Sequence, residues 1–151
     1  MSIFINMKLY DLINEEKYTF NEKGDLYNKE GLLIELIDEN NSVVGRTTLY
    51  SPYFGGVIDN EYYGLYKNNE NLNTDNSLYL FDLFVEPNSR NKGCASKIID
   101  RCKNIVKDCN HQYLCLISDM SNLPAKSLYE KHSFNVDYED DEKIFYTHKI
   151  I

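Results

Sequence analysis

The hydrophobic pattern changes its period between residues 77 and 108. Residues 77–85 read SLYLFDLFV, an almost continuous apolar run typical of a strand buried on both faces. Pro87 ends the run because proline has no N–H for a sheet ladder. Beyond Gly93 the apolar positions lie one or three residues apart, which predicts an amphipathic helix. These positions are Ile98, Ile99, Cys102, Ile105, Val106 and Cys109. The pattern therefore predicts a strand, a tight glycine turn and a helix.

A second apolar run, YLCLI, follows at residues 113–117 after a helix stop at Asn110. A strand, a helix and another buried strand within about 40 residues are typical of a βαβ crossover with parallel strands.

Two hairpins and a further helix are predicted around this unit. Residues 32–37 and 43–50 are expected to be strands joined by the turn DENNS, and residues 134–138 and 143–150 strands joined by an acidic turn. The helix is expected to begin after Ser121 or Asn122 and to end at Ser133. Pro124 in its first turn fits because a missing N–H there costs nothing.

Three segments give less definite patterns. Residues 3–10 alternate in polarity and suggest a strand, although residues 9–13 also fit the start of a short helix. Residues 14–31 are polar and contain glycine breakers, so irregular structure or a short helix is expected. Residues 53–76 form a long connection, and such connections are usually functional or disordered.

Composition places the chain among globular proteins. Its 151 residues are 42% hydrophobic and 26% charged, which predicts a single domain, 1–151, with its own core. The net charge of −8 argues against general nucleic-acid binding, which needs a basic surface.

No segment resembles a signal peptide or a membrane span. The four cysteines lack metal-site spacing, so we expect no metal and reduced, mostly buried thiols in a cytoplasmic protein.

One segment reverses the charge of the chain. Residues 86–108 contain six Lys or Arg and three Asp or Glu, a local balance of +3. A basic segment at a helix start suggests a small phosphorylated ligand, because free N–H groups and the positive end of the dipole point outward there. The alternative is a core helix with a solvated charged face.

Two motifs flank the strand 113–117. The first is Arg90-Asn91-Lys92-Gly93-Cys94-Ala95, which fits Gln/Arg, two residues, Gly, any residue, then Gly/Ala, between a strand and a helix. The second is Asn122, Ala125, Leu128-Tyr129-Glu130-Lys131 and Phe134. Together they resemble the acetyl-CoA-binding signatures of the GNAT superfamily of N-acetyltransferases, over roughly residues 32–150. The chain departs from the family pattern at Ser133, where Gly is usual and where the left-handed conformation favours it.

The resemblance implies a mixed α/β fold: a twisted sheet of about six or seven strands, flanked by helices and opened by a β-bulge that holds acetyl-CoA. Backbone N–H groups of residues 91–96 would then cradle the pyrophosphate, and Leu83 and Val85 would pair with the pantetheine arm. The implied cofactor-binding residues are Leu83, Phe84, Val85, Arg90, Asn91, Lys92, Gly93, Cys94, Ala95, Ser96 and Asn122.

The family reaction is direct transfer of acetyl from a thioester to a primary amine. The resemblance implies that Tyr129 protonates the leaving thiolate and that the N–H of Val85 stabilises the oxyanion; alternatively, Tyr129 only packs a helix on the sheet. The strand also resembles that of polyamine acetyltransferases, which have Tyr-Leu-Glu-Asp where this chain has YLFD. Phe81 therefore replaces a glutamate. Asp82 is a candidate for binding or deprotonating a cationic amine, or else a hydrogen-bonded carboxylate on the outer face.

These observations predict an N-acetyltransferase with acetyl-CoA as co-substrate and a small cationic amine, such as a polyamine or an amino-acid derivative, as acceptor. The alternatives are acetylation of a protein N-terminus or lysine, and a module that binds acetyl-CoA without turnover.

The acidic turn 137–142 would either attract a cationic acceptor or simply be solvated. The histidines show no partner spacing and are expected to be structural. No nucleic-acid or membrane partner is expected, and the sequence leaves a homodimer open.

Overall fold

The computed structural model describes residues 17–28, 30–52 and 69–150. In these ranges seven strands form one sheet in the order β1-β2-β3-β4-β5-β7-β6. The strands are β1 (Tyr18–Asp25), β2 (Gly31–Asp38), β3 (Val43–Tyr50), β4 (Ser77–Val85), β5 (Tyr113–Asp119), β6 (Asn135–Glu139) and β7 (Lys143–Lys149). The helices are α1 (Cys94–Asp108), α2 (Leu123–Lys131) and a short 3-10 helix (Pro87–Ser89). No helix among the described residues is long and apolar enough to span a membrane.

Strands β4 and β5 are parallel, while the other neighbouring strands are antiparallel. The connection through α1 is therefore the predicted βαβ crossover. Both the mixed α/β class and the predicted number of strands are confirmed.

The main core lies between the sheet and the two helices. Alternate residues of the two parallel strands point to this face, and they pack with the buried stripe of α1. This set includes Leu78, Leu80, Leu114, Leu116, Ile98, Ile99 and Cys102. The alternate residues Tyr79, Tyr113 and Cys115 of the same two strands form a smaller cluster on the opposite face, together with Leu72 and with Phe145 of β7.

Gly45 lies where α1 packs closely on the sheet. A Cβ atom at this position would lie 2.9 Å from Cδ1 of Ile98 and 3.2 Å from the carbonyl oxygen of Phe84. A larger residue would require the end of the Ile98 side chain to move and the backbone of β4 at Phe84 to shift slightly.

The expectation of irregular structure or a short helix for residues 14–31 was wrong for residues 18–25, which form a strand, whereas the described residues 26–28 and 30 form a turn. Strand β1 runs along the edge of the sheet and pairs antiparallel with β2. Most of its side chains are exposed, because an edge strand can be polar on both faces and still be held by backbone hydrogen bonds. The predictions for residues 3–13 and 53–68 fall outside the described residues.

Two other details bear on the site. Ser133 takes the left-handed conformation expected at the end of α2, with φ +66°, so the departure from Gly does not prevent this helix exit.

All four cysteines are free thiols and three of them are buried, as expected.

Candidate active site

The parallel strands β4 and β5 part after three residue pairs. Their ladder ends at Tyr79 and Cys115, although the strands continue separately to Val85 and Asp119. A cavity of about 710 Å³ lies in the region where they separate. The backbone groups along its walls are therefore available to a ligand.

A β-bulge in β4 accompanies this parting. Thr48 of β3 pairs with Phe81 and Arg46 with Phe84, so two residues of β4 face one residue of β3, which bends the bulged strand. Asp82 in the bulge has φ +57°. The hydroxyl of Thr47 donates to the carbonyl oxygen of Phe81 at 2.9 Å and holds the bulge in place.

The bulge also corrects one expectation about β4. The strand was expected to be buried on both faces, but only its first half is. Phe81 is 53% exposed, because the strand has left its neighbour at that point.

The turn before α1 has the geometry of an anion site. Gly93 precedes the helix with φ +82°, and Asn91 has φ +61°. A Cβ atom on Gly93 would meet no atom within 4 Å, so the turn faces open space. Since the first N–H groups of a helix have no partner within it, this turn presents main-chain donors to the cavity.

Much of the positive charge around this turn is used inside the protein. Arg101 forms a two-pronged ion pair with Glu22 of β1. Lys103 donates to the carbonyl oxygen of His132 at 2.7 Å, and burial lowers the pKa of its ammonium group. These two cations are therefore committed to contacts within the protein, and the main-chain N–H groups at the helix start are the candidate donors to an anion.

Alternate peptide groups of β4 beyond the bulge face the gap. The N–H of Glu86 donates to the carbonyl of Val44 in β3. Because successive peptide groups of a strand point in opposite directions, the N–H of Val85 points away from β3. Its carbonyl oxygen accepts a hydrogen bond of 2.9 Å from Nε of Arg90, so the N–H is the group that Val85 can offer to a ligand.

Asn122 begins the opposite wall of the cavity. Its Oδ1 accepts a hydrogen bond from the N–H of Ala125 at 3.2 Å and caps α2, as predicted. Any hydrogen bond that Asn122 donates to a ligand must therefore come from its NH₂ group.

Tyr129 of α2 lines the cavity and is 7% exposed. Its ring packs against Phe134 and Tyr146, with centroid distances of 5.7 and 5.3 Å. Burial, with a smaller contribution from Tyr146, raises the pKa of its phenol to about 12. The group is therefore protonated at neutral pH and can donate a proton.

The outer mouth of the cavity consists of Phe81, Asp82, Asp119 and Lys143. By strand alternation from Leu80, Phe81 faces the side of the sheet away from the helices. Asp82 lies 3.9 Å from Arg46, and Lys143 lies 2.9 Å from Asp119. Both carboxylates are largely exposed and accompanied by a cation.

Two acids of the turn 137–142 accept hydrogen bonds from within the protein. Asp140 accepts hydrogen bonds of 2.8 Å from the N–H groups of Glu142 and Lys143, and these bonds lower the pKa of its carboxyl group. Asp137 accepts hydrogen bonds from Asn69 and Thr147. These two acids hold the turn and the strands beside it.

Most of the site residues predicted from the sequence meet at the cavity. Those in its lining are Asp82, Leu83, Val85, Arg90, Asn91, Gly93, Cys94, Ala95, Ser96, Asn122 and Tyr129. Phe84 and Lys92 are not in the lining, so the structure does not support a side-chain contact from either. The ring of Phe84 lies between Arg46 and Arg90, at 5.1 and 5.7 Å from their guanidinium carbons.

Several lining residues were not predicted. They are Leu80, Phe81, Ser89, Leu116, Ile117, Ser118, Asp119, Pro124 and Lys143, while Ala125, Leu128 and Lys131 belong to the second motif but were not named as site residues. The end of β5 follows from the parting of the parallel strands and was available from the resemblance. Lys143 lies in the cavity lining because β7 pairs with β5, and the sequence has no local signal for this pairing.

Residues 6–134 match the family model described as the acetyltransferase (GNAT) family. The chain belongs to this family, which confirms the resemblance found in its motifs. An uncharacterized N-acetyltransferase of Bacillus subtilis (strain 168), YhfO, is 29% identical over 115 residues, which are 76% of this chain and 66% of that protein.

Two solved structures show the same fold. The PaiA N-acetyltransferase from Thermoplasma acidophilum, in complex with coenzyme A, has a TM-score of 0.59 and 16% identity, over 78% of this chain and 60% of its own. A GNAT family acetyltransferase from Elizabethkingia anophelis, with acetyl-CoA bound, has a TM-score of 0.64 and 14% identity, over 90% of this chain and all of its own. The chain thus spans about two thirds or less of YhfO and PaiA.

Proposed function

We propose that the protein transfers acetyl from acetyl-CoA to the primary amine of a small cationic acceptor. The observation that carries this proposal is the cavity between the parted strands, which joins a helix N-terminus to a buried, protonated tyrosine. The family assignment and the relatives with CoA or acetyl-CoA bound support the same co-substrate.

The cavity walls fit an extended thioester with a pyrophosphate at one end. The N–H groups from Asn91 to Ser96 would bind the pyrophosphate, since a helix start with a left-handed glycine is a ready anion seat. Val85 would pair with the amide groups of the arm as a neighbouring strand does. Asn122 would donate to the arm from the opposite wall.

The transfer requires a neutral amine, a stabilised oxyanion and a protonated leaving group. With a pKa of about 10.4, roughly one lysine-like amine in a thousand is neutral at pH 7, so a base or an ordered water must take its proton. The nitrogen then attacks the thioester carbon, and the N–H of Val85 stabilises the oxyanion. As the C–S bond breaks, Tyr129 gives its phenolic proton to the sulfur, and the second proton, released by the nitrogen as the amide forms, returns through water to the phenolate.

The outer mouth supports a cationic acceptor. Phe81 offers an exposed ring face, to which cations are attracted, and Asp82 and Asp119 flank it with carboxylates. Because Arg46 and Lys143 accompany these carboxylates, an amine that also carries a carboxylate can be matched as well as a polyamine. The proposal therefore covers polyamines and amino-acid derivatives.

Release of CoA thiol from acetyl-CoA tests the proposal with spermidine, free amino acids, and peptides that carry a lysine or a free N-terminus. We expect higher kcat/KM for the small amines than for the peptides. Faster turnover of peptides would favour protein acetylation. CoA binding without turnover of any acceptor would leave a binding module and contradict the proposed activity.

A further inference from the structure

His132, the residue after α2, contacts three residues of α1. Its Nε2 lies 2.8 Å from Oγ of Ser96 and its Nδ1 3.6 Å from Oδ1 of Asp100. Its carbonyl oxygen accepts the hydrogen bond from Lys103. The three α1 residues are four and three positions apart and share one face. The side chain of His132 is 11% exposed.

Ser96 connects this histidine with the cavity. It lines the cavity in the first turn of α1, where the proposed pyrophosphate site lies. A hydroxyl group has one proton to donate, and a hydrogen bond to an anion is stronger than one to a neutral acceptor. When Ser96 donates to a phosphate oxygen, its Oγ can only accept from His132, which requires a proton on Nε2. A neutral ring can supply this proton only by leaving Nδ1 unprotonated against the carboxylate of Asp100, so a ring that donates to both partners is the imidazolium.

Burial, more than the surrounding charges, favours a neutral His132 ring before a ligand binds. Burial lowers the pKa of His132, and Lys103 of α1, Lys131 of α2 and His148 of β7 act in the same direction. Asp100 opposes them. Phosphate groups at the start of α1 would add negative charge on the Ser96 side and shift this balance toward imidazolium.

We propose that Ser96, His132 and Asp100 form a proton-accepting relay that completes the pyrophosphate site, so that His132 takes up a proton when CoA binds. This inference rests on the acetyl-CoA site proposed above. The proton comes from solvent and adds to the ring nitrogen that lacks one. The imidazolium then donates to Ser96 through Nε2 and faces Asp100 through Nδ1. His132 is thereby a positioning residue, which orients the serine hydroxyl and ties the phosphate turn to the end of the helix that carries Tyr129.

The relay predicts the sign of a pH dependence. The pKa of His132 is lower in the free protein than in the complex, so protonation and CoA binding strengthen each other. CoA affinity therefore increases as the pH falls through the pKa of the complex, and it levels off below the pKa of the free protein. That lower pKa lies beneath the ordinary histidine value.

Isothermal titration with dephospho-CoA at about pH 7, in two buffers with different ionisation enthalpies, measures this proton directly. Dephospho-CoA lacks the phosphate monoester, whose own pKa of about 6 would confuse the result. We expect net proton uptake by the wild-type protein. In Ser96→Ala and His132→Asn the uptake is lost, and affinity falls about tenfold, as for a lost hydrogen bond to a charged group.

His148→Gln is the matched control. This second histidine is also partly buried, with a lowered pKa, but its Nδ1 contacts the carbonyl of Ser133 instead of the relay. Proton uptake should persist in this variant. Tight binding by the wild-type protein without proton uptake, or uptake that survives in His132→Asn, would overturn the relay and leave the CoA site standing. Failure to bind dephospho-CoA at all would overturn both.

Discussion

The two ends of the cavity are built in different ways. The proposed phosphate end consists of main-chain N–H groups in one continuous segment, residues 91–96, at the start of α1. The proposed acceptor end consists of side chains from β4, β5 and β7, which strand pairing brings together. A main-chain site depends on backbone conformation and tolerates most side chains. A side-chain site depends on identity and register, so it can change its ligand without changing the fold.

This contrast predicts two kinds of variant. Changes at the phosphate end and at the shared tyrosine should affect every acceptor alike. Changes at the outer mouth should alter the kinetic constants for one acceptor relative to another and leave CoA affinity unchanged.

The largest effect is expected for Tyr129→Phe. Loss of a general acid lowers rates by about 100-fold or more, so kcat should fall by about that factor for every amine while CoA affinity stays within about twofold. Because burial raises the pKa of this phenol to about 12, the donor is lost only as the pH rises toward that value. The wild-type pH profile should therefore show no loss of the acid between about pH 6 and 9.

Tyr146→Phe is the control for this substitution. Its hydroxyl is buried and has no hydrogen-bond partner among the described residues, and its ring lies beside Tyr129. This variant should keep its rate and be at least as stable in thermal unfolding, because it removes an unsatisfied polar group. Unchanged kcat in Tyr129→Phe would reject its role as acid.

A smaller effect is expected for Gly93→Val. A side chain at φ +82° costs about 1–2 kcal/mol, so the turn relaxes away from the geometry that holds the pyrophosphate. CoA affinity, measured by calorimetry, should fall roughly tenfold, and equally for CoA and acetyl-CoA.

Asn110→Val separates strain from binding. Asn110 has φ +59° and follows the other end of α1, outside the cavity lining. Like Gly93→Val, the substitution should lower the free energy of unfolding by about 1–2 kcal/mol, but it should not weaken CoA binding. Equal loss of affinity in both variants would mean that strain, not the phosphate turn, is responsible.

The smallest effect is expected for Asp82→Asn. Asparagine tolerates a positive φ as aspartate does, so the substitution changes mainly charge. Removing an exposed ion-pair partner is worth up to about 1 kcal/mol, which predicts a KM for spermidine roughly three- to fivefold higher. Steady-state kinetics should show an unchanged CoA affinity.

Asp141→Asn serves as its control, since Asp141 is exposed in the β6–β7 turn and does not line the cavity. A rise in KM of the same size in this variant would point to general attraction by an acidic surface. It would contradict a specific role for the outer mouth.

The phosphate end of the site could be predicted because its signals are local. Gly93 at a helix start, the stripe of α1 and the cap at Asn122 each follow from residues close together in the chain.

At the proposed acceptor end only Asp82 was a candidate from the sequence, while Asp119, Lys143 and the proposed relay depend on contacts between distant segments. Ser96 and His132 are 36 positions apart, and the histidine was expected to be only structural.

One error has a clear physical cause. Strand β1 is polar and was expected to be irregular or helical, but pairing with β2 holds it in the sheet. The ring of Phe84 lies between two arginines, outside the cavity lining, so a cofactor contact from Phe84 stays a prediction. In both regions contacts between distant segments decide the position of the residues over local preference.

The burial of the thiols has a practical consequence for enzymology. An assay that detects released CoA with a chromogenic disulfide also detects any protein thiolate. Burial raises the pKa of Cys102 to about 12 and that of Cys115 well above its usual range, so these two should give almost no background colour. Any contribution from Cys94 and Cys109 is capped at one equivalent each per protein molecule, whereas the product signal grows with every turnover.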